Sequence, residues 1–353
     1  MYLFVLKIFL YSLIMRTVLL IIFLIFSFSI TAYSWEKVPI PDYVNKKTKS
    51  PWNFYDDFED QKLGKAKLQK KYKINDKGAG SKPFKIKQDP NGNKFLEVTV
   101  KHGWNKCCGS WVNTERAEFE AKQKRSLNKE IWYGFRMRFP EDFIHIDDRV
   151  LISQFKNQFN PMKKSPLVGI QFYDNGDTLR LRGDTGGIAS TKWNDKETKI
   201  HKVGVRYFKN NDKWNLIESK IRGEDKIKLW KCNISKNMKA YDTTSLQLPK
   251  YCKDLKTKTS FPANKLGEWT VFKIGIKNSK KKDGFVKIYK DDQLMWDYSG
   301  VTFDWKGNYL GSVVRIGIYR DSDPSGKGYP DQSIHYDDFT VVSDKKTLDK
   351  YLN

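Results

Sequence analysis

Histidine and cysteine are scarce in this chain, and basic side chains outnumber acidic ones. Its 353 residues include four histidines, four cysteines, 41 acidic and 65 basic residues. The cysteines do not have the paired spacing of a zinc site, which argues against metal there. After residue 34 no apolar run is long enough to span a bilayer. Long helical periodicity is also scarce, which disfavours a helical fold.

The formal charge of +24 indicates an anionic partner, such as nucleic acid, anionic lipid or an acidic polysaccharide. Many lysines stand beside asparagine and isoleucine, so a compositional bias explains part of this excess. Charge alone therefore does not choose among these partners.

The N-terminus has the pattern of an export signal. An apolar run, "TVLLIIFLIFSFSITAYS", follows Arg16 and ends with the small residues Ala32 and Ser34. This pattern predicts a signal peptide over 1–34, cleaved before Trp35, and a secreted or periplasmic protein without stable membrane anchoring. An uncleaved anchor is the alternative, and Met15 is a second candidate start.

In an exported protein the cysteines are expected to oxidise. We favour a disulfide between Cys232 and Cys252, which would close a lysine-rich loop. Adjacent cysteines rarely bond each other, so the pairing of Cys107 and Cys108 stays open.

Short strand-like runs separated by turn residues fill the chain from about residue 53 onward. They predict an all-β sandwich of two antiparallel sheets. Residues 35–52 are polar and interrupted by proline, as in a linker, and 209–262 are lysine-rich, as in an insertion. We therefore expect one domain over 53–345 and a tail over 346–353. The runs that carry this prediction are 95–100, 131–139, 150–155, 168–173, 178–183, 269–277, 285–291 and 313–320.

The stretch "YDDFED" near the start is echoed by "YDDFTV" near the end. Chance explains such a match, but so does a pairing of the two terminal strands. If the strands pair, Asp57 and Asp338 could share a structural Ca²⁺ through their carboxylate oxygens. No cofactor is otherwise expected.

The stretch "NTERAEFEAKQ" alternates charged and apolar residues. Because successive side chains of a strand point to opposite faces, Arg116, Glu118 and Glu120 share the face opposite Ala117 and Phe119. A solvated sheet face has this pattern, and so does a binding groove.

Three further strands put polar residues on one face. Gln154, Lys156 and Gln158 are predicted opposite Leu151 and Phe155. On the other strands the predicted outward sets are Arg180 and Arg182, and Arg315, Gly317 and Tyr319. Guanidinium and amide groups suit carboxylates and sulfates, which favours the groove.

In order, "TERAEFE", "SQFK" and "VVRIGIYRDS" resemble motifs of secreted polysaccharide lyases with a concanavalin-like jelly roll, over about residues 53–343. The "ERAE" form is most similar to the heparin lyase I-like and glucuronan lyase group, which is related to the alginate lyases. The resemblance implies β-elimination on an acidic, uronic-acid-containing polysaccharide by a protein that we expect to be a monomer. Two positions differ from the alginate lyases: Lys156 replaces a histidine, and Val313 replaces a tyrosine.

The resemblance also implies roles for particular residues. Arg116 and Gln154 would neutralise the carboxylate of the reacting sugar, and Glu118 would orient Arg116. Tyr319 would act as acid, base or both. The alternation on the strands adds Arg180 and Arg182, so the predicted substrate-binding set comprises Glu118, Lys156, Arg180, Arg182 and Arg315.

Because Lys156 occupies the histidine position, the base must be sought elsewhere, and His102 at the end of a strand is our candidate. A surface histidine is the alternative reading of His102. The other histidines, His145, His201 and His335, lack motif support. Arg116 with Glu118 also fits a structural ion pair, and Tyr319 fits a tyrosine without chemistry.

Three other functions compete with a lyase. A glycoside hydrolase would use two carboxylates, and Glu118 and Glu120 share a face, but the E-x-D-x-x-E pattern of jelly-roll glucanases is absent. A non-catalytic acidic-glycan-binding module would tolerate the missing histidine. A nucleic-acid binder fits the charge but not the export signal, so we expect no nucleic acid partner.

Overall fold

Alternating apolar and polar residues build two sheets in the computed structural model of this protein. The structure describes residues 53–69, 71–75, 82–104, 114–121, 129–160, 163–184, 201–223, 229–230, 241–242, 258, 260–279, 281, 283–300, 302 and 308–352. It describes the backbone alone at 157–160, 163–167, 183–184, 201–203, 217–223, 229–230, 241–242 and 308–312. All of these residues lie within the compact unit Lys49–Asn353.

The described residues form strands β1 to β20, one 3-10 turn (Asp174–Gly176) and one helix, α1 (Lys345–Leu352). In chain order the strands are Phe54–Asp56, Gly64–Lys65, Tyr72–Asn75, Phe84–Gln88, Lys94–Val100, Thr114–Ala121, Glu130–Arg138, Val150–Asn160, Lys163–Tyr173, Thr178–Asp184, His201–Asn210, Lys213–Gly223, Leu229–Trp230, Tyr241–Asp242, Ser260–Pro262, Thr270–Lys277, Gly284–Lys290, Gln293–Gly300, Asn308–Asp321 and Gln332–Val342. Each of the eight runs predicted from the sequence is a strand.

One sheet has nine strands in the order β18-β17-β16-β7-β20-β5-β4-β2, with β1 beside β20. The other has eleven in the order β14-β13-β12-β11-β10-β9-β8-β19-β6-β3, with β15 beside β12. Neighbours such as β19 and β6 are far apart in the chain, and they pair antiparallel. The predicted jelly-roll sandwich of two antiparallel sheets is confirmed.

The echoed terminal segments do lie side by side. Strand β1 pairs antiparallel with β20, and Tyr55 stands in register with Thr340. The terminal strands are thus neighbours, as the echo suggested.

Apolar side chains from both sheets form one core. Its largest members are less than 2% exposed, and each contributes roughly 1.5–3 kcal/mol of burial free energy. They include Trp214, Trp296, Tyr336, Phe135, Phe155 and Phe172. The alternate residues of the eleven-stranded sheet consequently point away from the core.

Two segments differ from their predicted boundaries. Within the proposed insertion 209–262, β12 pairs along its length with β11 and extends the eleven-stranded sheet. The predicted tail contains α1, which Asp344 caps by accepting a hydrogen bond from the Thr347 amide at 2.8 Å. Leu348 and Leu352 are buried over Gly134, where any side chain would collide with them. The packing of the tail over Gly134 is a tertiary contact, and the sequence pattern of the tail does not reveal it.

Candidate active site

We call the outer face of the eleven-stranded sheet the groove face. Two rows of residues in register cross it, and both rows run over the strands β6-β19-β8-β9-β10-β11 in that order. The first row is Arg116, Tyr319, Leu151, Gln171, Arg180 and Arg206. The second row is Glu120, Arg315, Gln154, Gly169, Arg182 and Gly204. The structure thus brings together all three motifs singled out in the sequence.

Register shifts in β8 and β19 change which side chains reach this face. Strand β8 shifts between Leu151 and Ser153, so Ile152 is the extra residue of a β-bulge. Leu151 therefore stands beside Gly169 and Gln171 on the groove face, whereas Ile152 joins the core. The sequence prediction that Leu151 lies opposite Gln154 was wrong, because strict alternation fails across a bulge.

Strand β19 has its own irregularity at Gly317, where φ is +137°. A side chain there would lie 2.2 Å from the Ala117 carbonyl oxygen, so glycine is required. From the core, the Tyr336 hydroxyl contacts the carbonyl oxygens of Ile152 at 3.1 Å and Gly317 at 2.9 Å. The buried Tyr336 hydroxyl thus contacts the β-bulge of β8 and the irregularity of β19 at once.

Glu118 is the centre of the hydrogen-bonded part of the site. It is 1% exposed, and the Gln154 side-chain nitrogen donates a hydrogen bond to its Oε1. The Arg116 Nε lies 3.2 Å from its Oε2. Gln154 keeps a second N–H, and its Oε1 has no hydrogen-bond partner among the described residues. Glu118 therefore holds both side chains, and the buried Gln154 keeps an amide oxygen without a partner among the described residues.

Tyr319 lies against two guanidinium groups. Arg116 Cζ is 3.8 Å from its ring centroid, and Arg149 Cζ is 4.6 Å from it. Arg149 is itself paired with Asp321. Cations stacked on an aromatic ring are attracted to its face and fix its orientation.

Lys156 lies among the charges of the same face. Burial, followed by the charge of Arg315, lowers the pKa of Lys156 from its ordinary 10.5 to about 8, against the opposing influence of Glu118. Arg315 in turn donates a hydrogen bond to Glu120 at 2.6 Å. A substantial fraction of Lys156 is hence neutral at mildly alkaline pH and can accept a proton.

Further along the rows, β10 places two arginines on the groove face. Arg180 Cζ lies 4.6 Å from the Tyr173 ring centroid, and the Tyr173 hydroxyl donates to Gln171 at 3.0 Å. Burial raises the pKa of Tyr173, which keeps its phenol protonated. Arg182 stands between Gly169 and Gly204.

His102 is not assembled with these residues. Its Nδ1 lies 3.2 Å from Glu115 Oε1, and Glu115 is paired with Arg320. Glu115 and Arg116 are consecutive and point to opposite faces of β6. The structure thus gives His102 a partner on the side of β6 away from the groove face.

The carboxylates of Asp57 and Asp338, the predicted cation ligands, have protein partners. Asp338 accepts a hydrogen bond from the Tyr55 hydroxyl at 2.7 Å, and its second oxygen lies 2.9 Å from Arg136 Nε. Asp57 Oδ1 accepts from the Glu59 amide. Arg136 already supplies the positive charge that a cation would bring. In the part of the chain that the structure describes, no group of three His, Cys, Asp or Glu residues could hold a metal ion.

Several groove-face residues escaped sequence reasoning. Gln171 and Tyr173 alternate with Val168, Ile170 and Phe172, so the period-two pattern already contained them. Arg149 precedes β8, and nothing in the sequence indicates that it stacks on Tyr319. Lys156 was assigned to substrate binding only, because the pattern does not show its burial.

Some predictions fall outside the described residues. They are the signal peptide over 1–34, the linker over 35–52, and the cysteines Cys107, Cys108, Cys232 and Cys252. Among the described residues, no helix is long and apolar enough to cross a membrane.

Solved structures of lyases are similar to this chain at low identity. An endo-β-1,4-glucuronan lyase from the fungus Trichoderma reesei is 13% identical, with a TM-score of 0.46, covering 83% of this chain and 96% of its own. Alginate lyase Aly36B is 12% identical, with a TM-score of 0.43 and coverages of 83% and 97%. The family 7 alginate lyase A1-II' is 13% identical, with a TM-score of 0.42 and coverages of 75% and 84%.

No curated protein matches the chain. The model of the Polysaccharide lyase family matches residues 45–340, which is most of the chain and includes every residue of the two rows. This chain therefore belongs to the polysaccharide lyase family.

Proposed function

We propose that this protein cleaves a uronic-acid polysaccharide by β-elimination on the groove face. The observation that carries the proposal is that Tyr319, Lys156 and Gln154 share that face with Arg116 and Arg315. A base, an acid and a set of cations are what β-elimination from a uronate requires.

The cations act on the carboxylate of the reacting sugar. Removing the proton at C5 leaves negative charge that delocalises into this carboxylate, so positive charge and hydrogen bonds placed there lower the barrier. Arg116 and Arg315 supply the charge, and the second N–H of Gln154 supplies a donor. The ion pair of Arg116 with Glu118 and that of Arg315 with Glu120 hold both guanidinium groups in place.

Lys156 and Tyr319 move the protons. The neutral amine of Lys156 takes the C5 proton, and the C5–H electron pair forms the C4–C5 double bond. The C4–O bond breaks, and the Tyr319 hydroxyl gives its proton to the leaving oxygen. Lys156 then replaces His102, our sequence-based candidate, as the proposed base, because Lys156 lies on the groove face with a pKa of about 8. Tyr319 acting as both acid and base is the alternative.

A hydrolase on the same face is less well supported. Retaining or inverting hydrolysis requires a carboxylic acid that gives a proton and a carboxylate that acts as nucleophile or base. Glu118 and Glu120 are each held by an arginine. Neither carboxyl is therefore placed as a proton donor.

The direct test is the ultraviolet absorbance of the unsaturated uronate that β-elimination creates. Wild-type protein is incubated with glucuronan, alginate, heparin-like and ulvan-like polymers, with a Lys156→Ala/Tyr319→Phe double variant as the matched control. Absorbance growth with wild type alone supports the proposal. New reducing ends without absorbance would identify a hydrolase, and binding without either product would identify a binding module.

We also propose that the chain is exported, because the run ending at Ser34 has the form of a cleaved signal and because an extracellular enzyme meets a polysaccharide directly. On this proposal Cys232 and Cys252 meet an oxidising compartment.

A further inference from the structure

A second feature of the groove face lies away from the proposed reaction centre, on β10. Arg180 and Arg182 point outward from neighbouring positions of that strand. Among the residues whose side chains the structure describes, neither has an acidic group within ion-pair distance. By contrast, Arg116, Arg149 and Arg315 on the same face are each paired with a carboxylate.

The neighbours of these two arginines leave them accessible to a ligand. Arg182 has a glycine directly opposite it on each adjoining strand, Gly169 on β9 and Gly204 on β11, so neither of these two residues has a side chain that could cover it. Arg180 stacks on Tyr173, which limits the side-chain entropy that binding would cost.

Like charge accumulates at this point of the groove face. Arg206 stands directly opposite Arg180, and like charges in that relation repel. Arg206 is joined to Asp174 at 3.3 Å, between half-exposed side chains. An anion bound at Arg180 and Arg182 would relieve the remaining repulsion, and paired guanidiniums bind a carboxylate with several charge-assisted hydrogen bonds.

The spacing between Arg182 and Gln154 relates the two arginines to the proposed reaction centre. Arg182 and Gln154 belong to the second row, with Gly169 between them. Two strand spacings make roughly 10 Å, about the length of two linked sugar rings. A chain lying along the row with its reacting sugar at Gln154 therefore presents a later sugar to Arg182.

We propose that Arg180 and Arg182 form a remote subsite for the carboxylate of a sugar about two units from the one that reacts. This inference rests on the proposed function. It means that the protein selects a polyanion with charge beyond the scissile bond, and that oligomers too short to reach β10 are poor substrates.

The test uses oligoglucuronates and oligoalginates of increasing length, with initial rates of unsaturated product. For wild type, kcat/KM should rise steeply at the length that spans both sites. Arg182→Gln and Arg180→Gln should each lower kcat/KM on long oligomers by about tenfold or more, the scale of a charge-assisted hydrogen bond. The loss should be much smaller on the shortest cleaved oligomer, which does not reach β10.

Three controls separate the explanations. Lys85→Gln removes one exposed positive charge from the other sheet and should follow wild type at every length. Arg182→Lys should restore part of the length dependence. In Tyr319→Phe, calorimetry should show that longer oligomers bind more tightly, and adding Arg182→Gln should remove that gain.

The outcomes also separate the inference from the function on which it rests. If wild type forms no unsaturated product from any uronic polymer, the proposed function fails. If product forms but Arg180→Gln and Arg182→Gln have the same length dependence as Lys85→Gln, the lyase stands and the remote subsite is overturned.

Discussion

The hydroxyl of Tyr336 lies 2.9 Å from the carbonyl oxygen of Gly317, and this contact connects the core to the groove face. The same hydroxyl contacts the Ile152 carbonyl at 3.1 Å. Gly317 is two residues from Tyr319, and Ile152 is two residues from Gln154. A core phenol thus sets the two backbone irregularities from which two proposed site residues project.

Removing this hydroxyl should affect both stability and turnover. Tyr336→Phe leaves two buried carbonyl groups without their phenol partner, which should cost about 1–3 kcal/mol of unfolding free energy. It should also lower kcat, because Tyr319 and Gln154 lose a positioning contact. Denaturant unfolding and kcat on the polymer measure the two effects.

Tyr207→Phe is the matched control. Tyr207 is fully buried, and its hydroxyl contacts two other carbonyl oxygens, those of Met295 and Lys258. Tyr207→Phe should lower the free energy of unfolding by a similar amount, while kcat stays at the wild-type value. Equal losses of kcat in both variants would show that Tyr336 acts through stability alone.

The hydroxyl of Tyr319 is predicted to transfer a proton. Tyr319→Phe keeps the ring between Arg116 and Arg149, so substrate affinity should change little. Turnover should fall roughly 100-fold or more, the scale of general acid–base catalysis. A variant that forms unsaturated product at the wild-type rate would refute this role.

The proposed base can be identified from the pH dependence of kcat/KM, which reports groups of the free protein. Because Lys156 must be neutral to accept a proton, kcat/KM should rise with pH through about 8. Arg315→Gln should move this limb to higher pH, since the charge of Arg315 contributes to the lowered pKa of Lys156. Lys156→Arg should abolish the limb and most of the activity.

His102→Ala is the informative comparison for that experiment. If Lys156 is the base, the limb near pH 8 should persist in His102→Ala. Loss of the limb in His102→Ala, with retention in Lys156→Arg, would return the role to His102.

Burial of Lys156 should lower the free energy of unfolding at neutral pH. Below pH 8 its amine is charged in both the folded and the unfolded chain, and burial penalises the folded one. Between 8 and 10.5 the unfolded chain binds more protons, so this contribution to stability rises with pH, and the penalty is gone above 10.5. Lys156→Met should therefore raise Tm most at neutral pH, with a gain that shrinks through that interval. Lys85→Met, at an exposed position of the other sheet, is the matched control.

Export is tested by sequencing the N-terminus of the secreted protein, which should begin at Trp35. Ala32→Trp places a bulky residue where a small one is needed and should block cleavage. Recovery of uncleaved wild-type chain in the membrane fraction would contradict the prediction and favour an anchor.

The amino-acid pattern alone predicts the strands and, for most of them, the face on which each side chain lies. Arg116, Glu118 and Glu120 share a face because side chains alternate along a strand, and Arg180 and Arg182 follow for the same reason. Those local rules need no knowledge of neighbouring strands, and the family motifs sit on the strands that they predict.

Which strands become neighbours, and how their side chains change one another's chemistry, depends on the folded arrangement of the two sheets. The bulge at Ile152 moved Leu151 to the groove face, because an extra residue in one strand changes its register with two others. The lowered pKa of Lys156 depends on burial and on Arg315, and His102 pairs with Glu115 away from the groove face. Such effects arise between segments distant in the chain, where packing and charge act over a few ångströms and the alternation of a single strand carries no information about them.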